Sequence, residues 1–388
     1  MNVMIKKLLQ GQAVEWQTLG EVVKLEKGKQ LNKELLFESG LYPAYNGGVS
    51  YSGFTDIYNY EENTIIISQG GASAGFVNFV TTKFYANAHC YVVLPKNEMV
   101  ENRFIYHFLK LNQEKMMTKQ HGAGIPALRT NEILTLKIPI PPLSVQSQIV
   151  QILDTFTELT AELTAELSMR QKQYQYYRDF LLSEHELAKV GFEWKTLGEV
   201  GELVRGNGLT KKDLTDDGVP AIHYGQIYTR YGLSTEKTLS FVSTELAKRL
   251  RKVDTGDVVI TNTSENLADV GKSLVYLGKE QAVTGGHATI FKPNKQIILG
   301  KYFAYFTQTD NFATQKRKYA KGTKVIDVST NDMAKLKIPI PPLSVQSQIV
   351  AILDKFDTLV NSISEGLPKE IKLRQKQYEY YRERLLAF

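Results

Sequence analysis

A block of fifteen residues occurs twice in this chain without a single change. LKIPIPPLSVQSQIV occupies positions 136–150 and returns at positions 336–350. The two blocks lie 200 residues apart in a chain of 388, and this period is far longer than the roughly 20 to 50 residues of a solenoid repeat. The chain therefore consists of two domain-sized copies, each long enough to bury a hydrophobic core of its own.

The two copies also share their beginnings and their ends. Residues 15–22 and 193–200 both contain Glu-Trp-x-Thr-Leu-Gly-Glu-Val, and residues 170–178 and 374–382 both contain Arg-Gln-Lys-Gln-Tyr-x-Tyr-Tyr-Arg. Between these landmarks the copies have little in common, so each copy is a variable domain followed by a nearly invariant tail. We place an N-terminal helical segment that docks on the tails at 1–13, variable domains at 14–143 and 191–343, a spacer helix with a linker at 144–190, and a second spacer helix at 344–388.

Each tail is predicted to form a long helix. The prolines after Ile140 and Ile340 prevent the preceding strand from continuing, and Ser144 and Ser344 are candidate N-caps. Apolar residues then recur at alternating spacings of three and four, which is the pattern of a coiled coil. A helix over 144–182 would be ~58 Å long, so it needs a partner helix. The predicted contact positions are Ile149, Leu153, Phe156, Leu163, Leu167, Tyr174, Tyr177 and Leu181, with Ile349, Leu353, Phe356, Val360, Ile363, Leu367, Tyr378, Tyr381 and Leu385 in the second tail.

The two tails differ in their middle. The first contains the unit Thr-Ala-Glu-Leu twice in tandem, over 160–167, whereas the second contains Gly366, Leu367 and Pro368. Proline inside a helix costs ~3 kcal/mol, so we predict a kink or a joint there. In the variable domains we predict strands at 64–68, 90–94, 258–261 and 288–291, and helices near 101–119 and 300–318.

Composition places few limits on the partners. The chain is 43% hydrophobic and 23% charged, and it contains no apolar run near the ~18 residues of a membrane span. It has no apparent signal peptide, and its single cysteine, Cys90, cannot form an internal disulfide, so we expect a cytoplasmic protein without a membrane partner. A net charge of +6 is compatible with a polyanionic partner and equally with an ordinary solvated surface.

These segments together resemble the specificity subunits of type I restriction-modification systems. The resemblance covers essentially the whole chain, and the tandem Thr-Ala-Glu-Leu units resemble the central spacer of one subgroup. It implies an α+β fold with two globular target-recognition domains, an internal pseudo-twofold repeat, and two long antiparallel helices that form a coiled-coil stem. It also implies that each domain reads one half of a bipartite site in double-stranded DNA. The stem would bind two methyltransferase subunits and, through the complex, the restriction and translocase subunits.

The sequence contains no catalytic constellation of its own. An amino-group methyltransferase needs an Asn/Asp-Pro-Pro-aromatic loop, and both Pro-Pro pairs here follow isoleucine. The turn over 70–75 lacks the Gly-Lys-Ser/Thr ending of a phosphate loop, and the six histidines show no paired metal spacing. We therefore expect no catalytic residue, no metal and no cofactor. The resemblance implies that the chain is the targeting subunit of an adenine-specific methyltransferase and ATP-dependent endonuclease.

Polar side chains that follow apolar strands are the candidate DNA contacts. Arg129 is the strongest candidate for a guanine contact, whereas His89 and His287 could instead have structural roles, and the turn over 70–75 could be purely structural. The DNA-binding candidates are Gln69, Ser73, His89, His121 and Arg129 in the first domain, and Asn262, Ser264, His287, Lys316, Arg317, Lys318, Lys321 and Lys324 in the second. The spacer candidates are Thr160, Leu163, Thr164 and Leu167, and the partner-docking candidates are Tyr174, Tyr177, Tyr378 and Tyr381.

Two other interpretations stay open at this point. A free-standing bipartite DNA-binding regulator would share the two domains and the stem, and so would a coiled-coil scaffold whose variable domains bind proteins. Affinity for DNA that falls steeply with salt would exclude the scaffold. The sequence does not identify the bases of either half-site or the number of unread base pairs.

Overall fold

The computed structural model describes residues 3–121 and 126–388. The chain forms two compact units, which we call the first unit (Met1–Leu163 with Ile371–Phe388) and the second unit (Thr164–Glu370). Each unit contains one variable domain, the start of the tail that follows it, and the end of the other tail. The division between the units falls inside the tandem Thr-Ala-Glu-Leu repeat.

The first unit carries two sheets and a two-stranded ribbon. Strands β2, β8, β5 and β6 form an antiparallel sheet in the order 2-8-5-6, and β4, β3 and β7 form a smaller sheet. The ribbon consists of β1 and β9. The elements are α1 (Val3–Leu9), β1 (Glu15–Thr18), α2 (Leu19–Val22), β2 (Val23–Lys27), a 3₁₀ turn (Lys33–Leu35), β3 (Tyr42–Tyr45), β4 (Gly53–Thr55), β5 (Thr64–Ser68), β6 (Val77–Val80), β7 (Tyr85–Ala86), β8 (Cys90–Pro95), α3 (Asn102–Leu111), α4 (Gln113–Met117), α5 (Thr130–Leu134), β9 (Lys137–Ile140) and α6 (Leu143–Leu181).

The second unit repeats this plan with additional strands. Its larger sheet has the order 11-20-16-18-13 and its smaller sheet the order 14-12-19-15. The remaining strands form two ribbons, β10 with β22 and β17 with β21. The elements are α7 (Glu184–Ala188), β10 (Glu193–Thr196), α8 (Leu197–Val200), β11 (Gly201–Arg205), a 3₁₀ turn (Lys211–Asp213), β12 (Val219–Ile222), α9 (Tyr224–Thr229), β13 (Ser234–Thr235), β14 (Ser240–Val242), α10 (Thr244–Arg249), β15 (Arg251–Val253), β16 (Val258–Thr261), β17 (Thr263–Ser264), β18 (Ser273–Tyr276), β19 (Ala282–Thr284), β20 (Ala288–Pro293), α11 (Gly300–Phe306), α12 (Asp310–Tyr319), β21 (Ile326–Asp327), α13 (Thr330–Met333), β22 (Lys337–Ile340), α14 (Leu343–Asn361) and α15 (Leu367–Leu385).

In each copy, the opening strand pairs with the Ile-Pro strand that precedes the tail. Trp16 lies opposite Pro139 in the ribbon of the first unit, and Trp194 lies opposite Pro339 at the same register in the second. A two-stranded ribbon tolerates proline because only one edge of each strand needs its N–H groups. The opening segment and the Ile-Pro strand, which both copies share, therefore hold the two ends of each variable domain together.

The predicted helical tails are confirmed. In the first unit the start of α6 packs on the end of α15, where the rings of Phe156 and Tyr381 stack with centroids 5.1 Å apart. In the second unit the end of α6 packs on α14, where Tyr177 stacks on Phe356 at 5.4 Å. Because the start of each tail meets the end of the other, the two tails are antiparallel. The predicted α+β class with two globular domains and two long helical tails is confirmed as well.

The starts of the helices correct one expectation. Both tails become helical at leucine, one residue before the predicted caps Ser144 and Ser344. The carbonyl of Pro142 accepts from the N–H groups of Val145 and Gln146, and Pro342 is the N-cap residue of α14. Proline is suited to this position because its missing N–H is not needed there. The serine hydroxyls are therefore not the caps.

The predicted break in the second tail is confirmed. Helix α14 ends at Asn361 and α15 begins at Leu367, so Pro368 lies in a first helical turn, where it costs no hydrogen bond. A Cβ atom on Gly366 would lie 2.3 Å from the carbonyl oxygen of Thr358, which leaves room only for glycine. Ile363, predicted as a contact position, is 85% exposed in the connection, so that assignment is wrong.

The N-terminal segment forms α1, as predicted. Ile5 and Leu9 are buried in the same hydrophobic cluster as Ile149, Leu153 and Leu385. The short helix therefore docks on the tails within the first unit. In the part of the chain that the structure covers, every helix is too short or too polar to cross a membrane.

A buried polar cluster joins the first variable domain to its tail. The Nε2 atom of His107 lies 2.8 Å from Asp154 Oδ1, and its Nδ1 atom lies 3.0 Å from the hydroxyl of Tyr378. Arg103 pairs with the same aspartate. Burial lowers the pKa of His107 despite the neighbouring carboxylate. Burial opposes ionisation of Asp154, but hydrogen bonds from His107 and Arg103 outweigh it and lower the pKa of the carboxyl group.

This cluster makes the first unit sensitive to acid. Because the pKa of His107 is lower in the folded chain, the unfolded chain takes up its proton first as the pH falls below about 6.5, and stability declines by up to ~1.4 kcal/mol per pH unit. The second unit has Tyr305 at the equivalent position, with its hydroxyl 2.7 Å from Asp354. We expect His107→Tyr to flatten the decline between pH 6.5 and 5.5. Urea unfolding at both pH values measures this, and equal declines in the two proteins would contradict the assignment.

Candidate nucleic-acid interface

Three chain segments converge beside the end of β5 in the first unit. The N–H of Gln69 donates to the carbonyl of His89 over 2.8 Å, and the carbonyl of Gln69 accepts from the N–H of Leu128 over 2.8 Å. We call Gln69, His89 and Leu128 the first junction. It brings two sequence-predicted contact residues side by side, with the predicted Arg129 next in the chain.

The second unit contains the same arrangement beside the end of β16. The N–H of Asn262 donates to the carbonyl of His287 over 2.8 Å, and its carbonyl accepts from the N–H of Val328 over 2.9 Å. We call Asn262, His287 and Val328 the second junction. The predicted candidates of the two domains, chosen from dissimilar sequences, thus occupy equivalent places. The Asn262 side chain is 0% exposed, and both atoms of its amide lack a hydrogen-bond partner. Its assignment as a DNA contact is therefore corrected, because the side chain does not reach the surface.

A further pair of predicted residues occupies equivalent places near the junctions. His121 exchanges two backbone hydrogen bonds of 2.9 Å with Ala127, and Lys321 exchanges bonds of 2.9 and 2.8 Å with Asp327. Both side chains are exposed, and each lies near a carboxylate. His121 lies 3.7 Å from Glu132 of α5, and Lys321 lies 3.4 Å from Asp332 of α13. Between the predicted contact residues His121 and Arg129, residues 122–125 lie outside the described residues.

The glycine turn after β5 is tight. Gly71 and Gly75 have φ angles of 78° and 96°, values that favour glycine. A Cβ atom on Gly75 would lie 3.0 Å from the backbone nitrogen of Met117, so the second glycine is required by packing against α4. Ser73, at the middle of the turn, is partly exposed. Packing therefore explains the glycines of this turn without a bound ligand, and Ser73 stays a candidate DNA contact.

The remaining cationic candidates are exposed, with one exception. Arg129, Arg317, Lys318 and Lys324 are open to solvent, and Ser264 is partly exposed in β17. Lys316 is only 6% exposed, and its ammonium group donates to the carbonyl of Val270 over 2.6 Å. Burial lowers the pKa of Lys316. Its assignment to the DNA surface is corrected, because its charge is used inside the domain to hold the turn before β18.

Substitutions at the neighbouring residues Lys316 and Arg317 should therefore have different effects, the first on stability and the second on DNA binding. We expect Lys316→Met to lower the free energy of unfolding by about 1–3 kcal/mol, since the carbonyls of Ala268 and Val270 lose their donor. It should leave the salt dependence of binding to random-sequence duplex DNA unchanged. Arg317→Met should do the reverse and reduce the logarithmic salt slope by about one phosphate contact. Urea unfolding and binding titrations at several salt concentrations measure both, and a reduced salt slope for Lys316→Met would contradict the assignment.

The sequence analysis missed an aromatic cluster at the second junction. The ring of Tyr224 lies between those of His223 and His287, with centroid distances of 4.6 and 4.7 Å. The hydroxyl of Thr263 lies 2.9 Å from His287 Nδ1. Burial lowers the pKa of His223. The signal was present, because His223 and Tyr224 directly follow the apolar strand β12.

The corresponding place in the first unit holds glycine instead of aromatic residues. Gly47, after β3, has a φ angle of 80°, and a Cβ atom there would lie 2.8 Å from the carbonyl oxygen of His89. The loop after β3 therefore passes directly over the first junction. The two junctions share a backbone plan but present different chemical groups.

The predicted docking tyrosines are mostly turned inward. Tyr174 is only 6% exposed, Tyr378 hydrogen-bonds to His107, and Tyr177 and Tyr381 stack on phenylalanines of their own units. Tyr174, Tyr378 and Tyr381 are corrected from docking residues to packing residues; Tyr177 keeps 41% of its surface exposed. The rings that face solvent are one position earlier, at Tyr176 and Tyr380, which are 62% and 48% exposed.

The spacer residues lie in an uninterrupted helix. Leu163 and Leu167 are partly buried, Thr164 is exposed, and the hydroxyl of Thr160 donates to the carbonyl of Phe156 over 2.7 Å. The four residues belong to α6, which is 39 residues long. Each tandem unit thus contributes four residues, slightly more than one turn, to a continuous helix.

Two ranges of the chain, 13–169 and 189–373, match the family model described as the type I restriction modification DNA specificity domain. The matched ranges contain both junctions and most of both tails. The chain belongs to the specificity subunits of type I restriction-modification systems. It is therefore the component that confers DNA specificity and is not the catalytic one.

Two relatives of this specificity subunit align over nearly their whole length. It is 34% identical over 403 residues to a putative type I restriction enzyme specificity subunit of Haemophilus influenzae, covering 99% of this chain and 98% of the relative. It is 32% identical over 410 residues to the specificity subunit of the type I restriction enzyme EcoR124I/EcoR124II of Escherichia coli, covering 99% and 96%. Both alignments thus include the two variable domains and the two tails of this chain.

Solved structures share the fold of the specificity subunit. The crystal structure of a type I restriction-modification S subunit from M. genitalium aligns with a TM-score of 0.64 at 21% identity, covering 97% of this chain and 96% of that one. A chain from a study of complex assembly and conformational transition of the type I R-M system aligns with a TM-score of 0.56 at 17% identity, covering 97% and 98%.

Proposed function

We propose that each variable domain reads one half of a bipartite site in double-stranded DNA and that the helical tails set the number of unread base pairs. The observation that carries this proposal is the presence of two junctions with one backbone plan and different side chains. His121 stands where the second domain has Lys321, and both are exposed. Gly47 lies against His89 in the first domain, where the second has Tyr224 against His287. Two equivalent surfaces with different donors and acceptors suit two different base sequences.

The tails are the proposed docking surface for two methyltransferase subunits. Their identical blocks suit two copies of one partner, and the exposed rings of Tyr176 and Tyr380 occupy matched places in the two tails. Exposed aromatic rings are common in protein interfaces. Restriction and translocase subunits would join through this complex, in the cytoplasm. We also propose that the chain belongs to the subgroup whose spacer contains the tandem Thr-Ala-Glu-Leu unit, and the two units at 160–167 support this.

Co-expression with an adenine-specific methyltransferase subunit tests the proposal. The complex should be isolable, and mapping of methylated adenines across a genome should give one motif with two defined parts and a constant unread gap. A continuous motif, or methylation without any sequence preference, would refute bipartite reading. Failure to form a complex would refute docking on the tails.

A further inference from the structure

Two glutamines in the identical blocks have fully buried side chains. Gln146 accepts a hydrogen bond from the N–H of Glu101 over 2.8 Å, and it donates to the carbonyls of Met99 and Pro141 over 2.9 and 2.8 Å. Its exposed fraction is 0%. A buried amide with all three of these bonds strongly restricts the position of its partners, because leaving any of them unpaired costs free energy.

Gln346 repeats these contacts in the second unit. It accepts from the N–H of Leu299 over 3.0 Å and donates to the carbonyls of Ile297 and Pro341, both over 2.9 Å. It too is 0% exposed. The same three bonds therefore occur twice, although the variable domains that supply two of the partners have diverged.

These bonds do not depend on the sequence of the variable domain. Every partner atom belongs to the main chain. The glutamine can therefore form the same bonds with Met99 and Glu101 in one unit and with Ile297 and Leu299 in the other. Glu101 and Leu299 are the N-cap residues of α3 and α11, and neither cap is satisfied by its own side chain. Each glutamine thus fixes the main chain at the point where α3 or α11 begins.

A second attachment lies two turns farther along each tail. Asp154 accepts from Arg103 and His107, whereas Asp354 accepts from Lys301 and Tyr305. The bonds that Lys301 and Tyr305 donate to Asp354 are both 2.7 Å long. Eight residues of helix separate each glutamine from its aspartate, a distance of ~12 Å. Two attachments this far apart fix the direction of the domain helix as well as its starting point.

We propose that Gln146 and Gln346, assisted by Asp154 and Asp354, are positioning residues that set the orientation of each variable domain on its tail and thereby the length of the unread gap. The inference rests on the bipartite reading proposed above and assigns its spacing to named side chains. A domain held at two points presents its junction at one angle to the DNA. A domain held at one point can turn and accept gaps one base pair longer or shorter.

Gap selectivity of the full chain, co-expressed with the methyltransferase subunit, tests this inference. The substrates are duplexes that carry both mapped half-sites at the wild-type gap and at gaps one base pair longer or shorter. We expect Gln346→Leu to reduce the preference for the wild-type gap by about tenfold, because the buried partners lose their bonds, without changing either half-site. Gln348→Leu is the matched control, since Gln348 lies in the same block but is exposed, and it should keep the wild-type preference.

The possible outcomes separate the two proposals. Reduced methylation at all gaps in the same proportion, with unchanged preference, would show a merely structural role and overturn the inference. If Gln346→Leu does not fold, Asp354→Asn tests the inference instead, because the aspartate is partly exposed and asparagine keeps an acceptor for Tyr305. The measured quantity is again the ratio of methylation at the wild-type gap to methylation at the altered gaps. A wild-type motif without a constant gap refutes the proposed function itself, whatever the variants do.

Discussion

Deletion of one Thr-Ala-Glu-Leu unit from the tandem at 160–167 should shorten the unread gap by about one base pair and leave both half-sites unchanged. Four residues of helix contribute ~6 Å of length and one turn plus ~40° of rotation. One base pair contributes ~3.4 Å along the DNA axis and about 34–36° of twist. The rotation lost from the helix is close to the twist of one base pair. Both domains should therefore face their half-sites again when the gap is one base pair shorter. Methylation at the original gap should fall below one-hundredth of the wild-type level.

The structure gives this deletion a physical basis. The tandem lies within one continuous helix, and the boundary between the two compact units falls between Leu163 and Thr164. Removing residues 160–163 shifts the following residues by four positions. Leu167 then occupies the position of Leu163 on the helix face. Neither junction contains a tail residue, and their contacts should persist.

Methylation mapping of the deletion variant measures the result, and an insertion of one further unit should lengthen the gap by the same amount. Thr164→Ser is the control, because it alters the unit without altering its length and should leave the gap unchanged. A constant gap after the deletion, or a change in either half-site, would contradict the role of the tandem as a spacer.

Much of the architecture follows from local sequence. Strands at 64–68 and 258–261 coincide with β5 and β16, and the tail predicted at 144–182 is observed at Leu143–Leu181. Repeated prolines and regular apolar spacing dominate local conformation, so these elements were predictable. The helix predicted near 101–119 is divided at Asn112, whose side chain donates to the carbonyl of Phe108 over 2.9 Å. A polar side chain that bonds back to the main chain competes with helix continuation.

The pairing of the tails was not predictable from the repeat alone. The end of the second tail, which contains Tyr378 and Tyr381, packs in the first unit, and Tyr174 of the first tail packs in the second. Sequence comparison aligns each tail with its own copy and carries no information about such exchange. The sequence therefore left two roles open for these tyrosines, contact between the tails and an outward docking surface, because their partners are residues distant in the chain.

Lysine at position 316 shows another limit of sequence reasoning. Its neighbours Arg317 and Lys318 are exposed, so the run of charges predicted one common surface. Gly271 provides the space that the Lys316 side chain occupies, since a Cβ atom there would lie 2.8 Å from the Cδ atom of the lysine. Burial of a lysine beside a glycine 45 positions earlier is a tertiary event, and local composition does not reveal it.

Replacement of Arg129 should abolish recognition of one base in the first half-site. The residue directly follows Leu128 of the first junction, its side chain is exposed, and it precedes α5 as the N-cap residue. A bidentate contact from arginine to guanine contributes about 1–3 kcal/mol of discrimination. We therefore expect Arg129→Ala to lower methylation of the cognate site by about 5- to 150-fold, with the gap and the second half-site unchanged.

Arg129→Lys distinguishes a base contact from a phosphate contact. Lysine keeps the positive charge but loses the planar pair of donors that matches guanine. If Arg129 reads a base, the lysine variant should relax the preference at one position of the first half-site, much as alanine does. If it binds a phosphate, the lysine variant should retain the wild-type motif, and alanine should weaken binding to all sequences alike with a salt slope smaller by about one. Mapping of methylated sites for both variants therefore decides whether the residue specifies sequence or only supplies affinity, and an unchanged motif in the alanine variant would remove Arg129 from the reading surface.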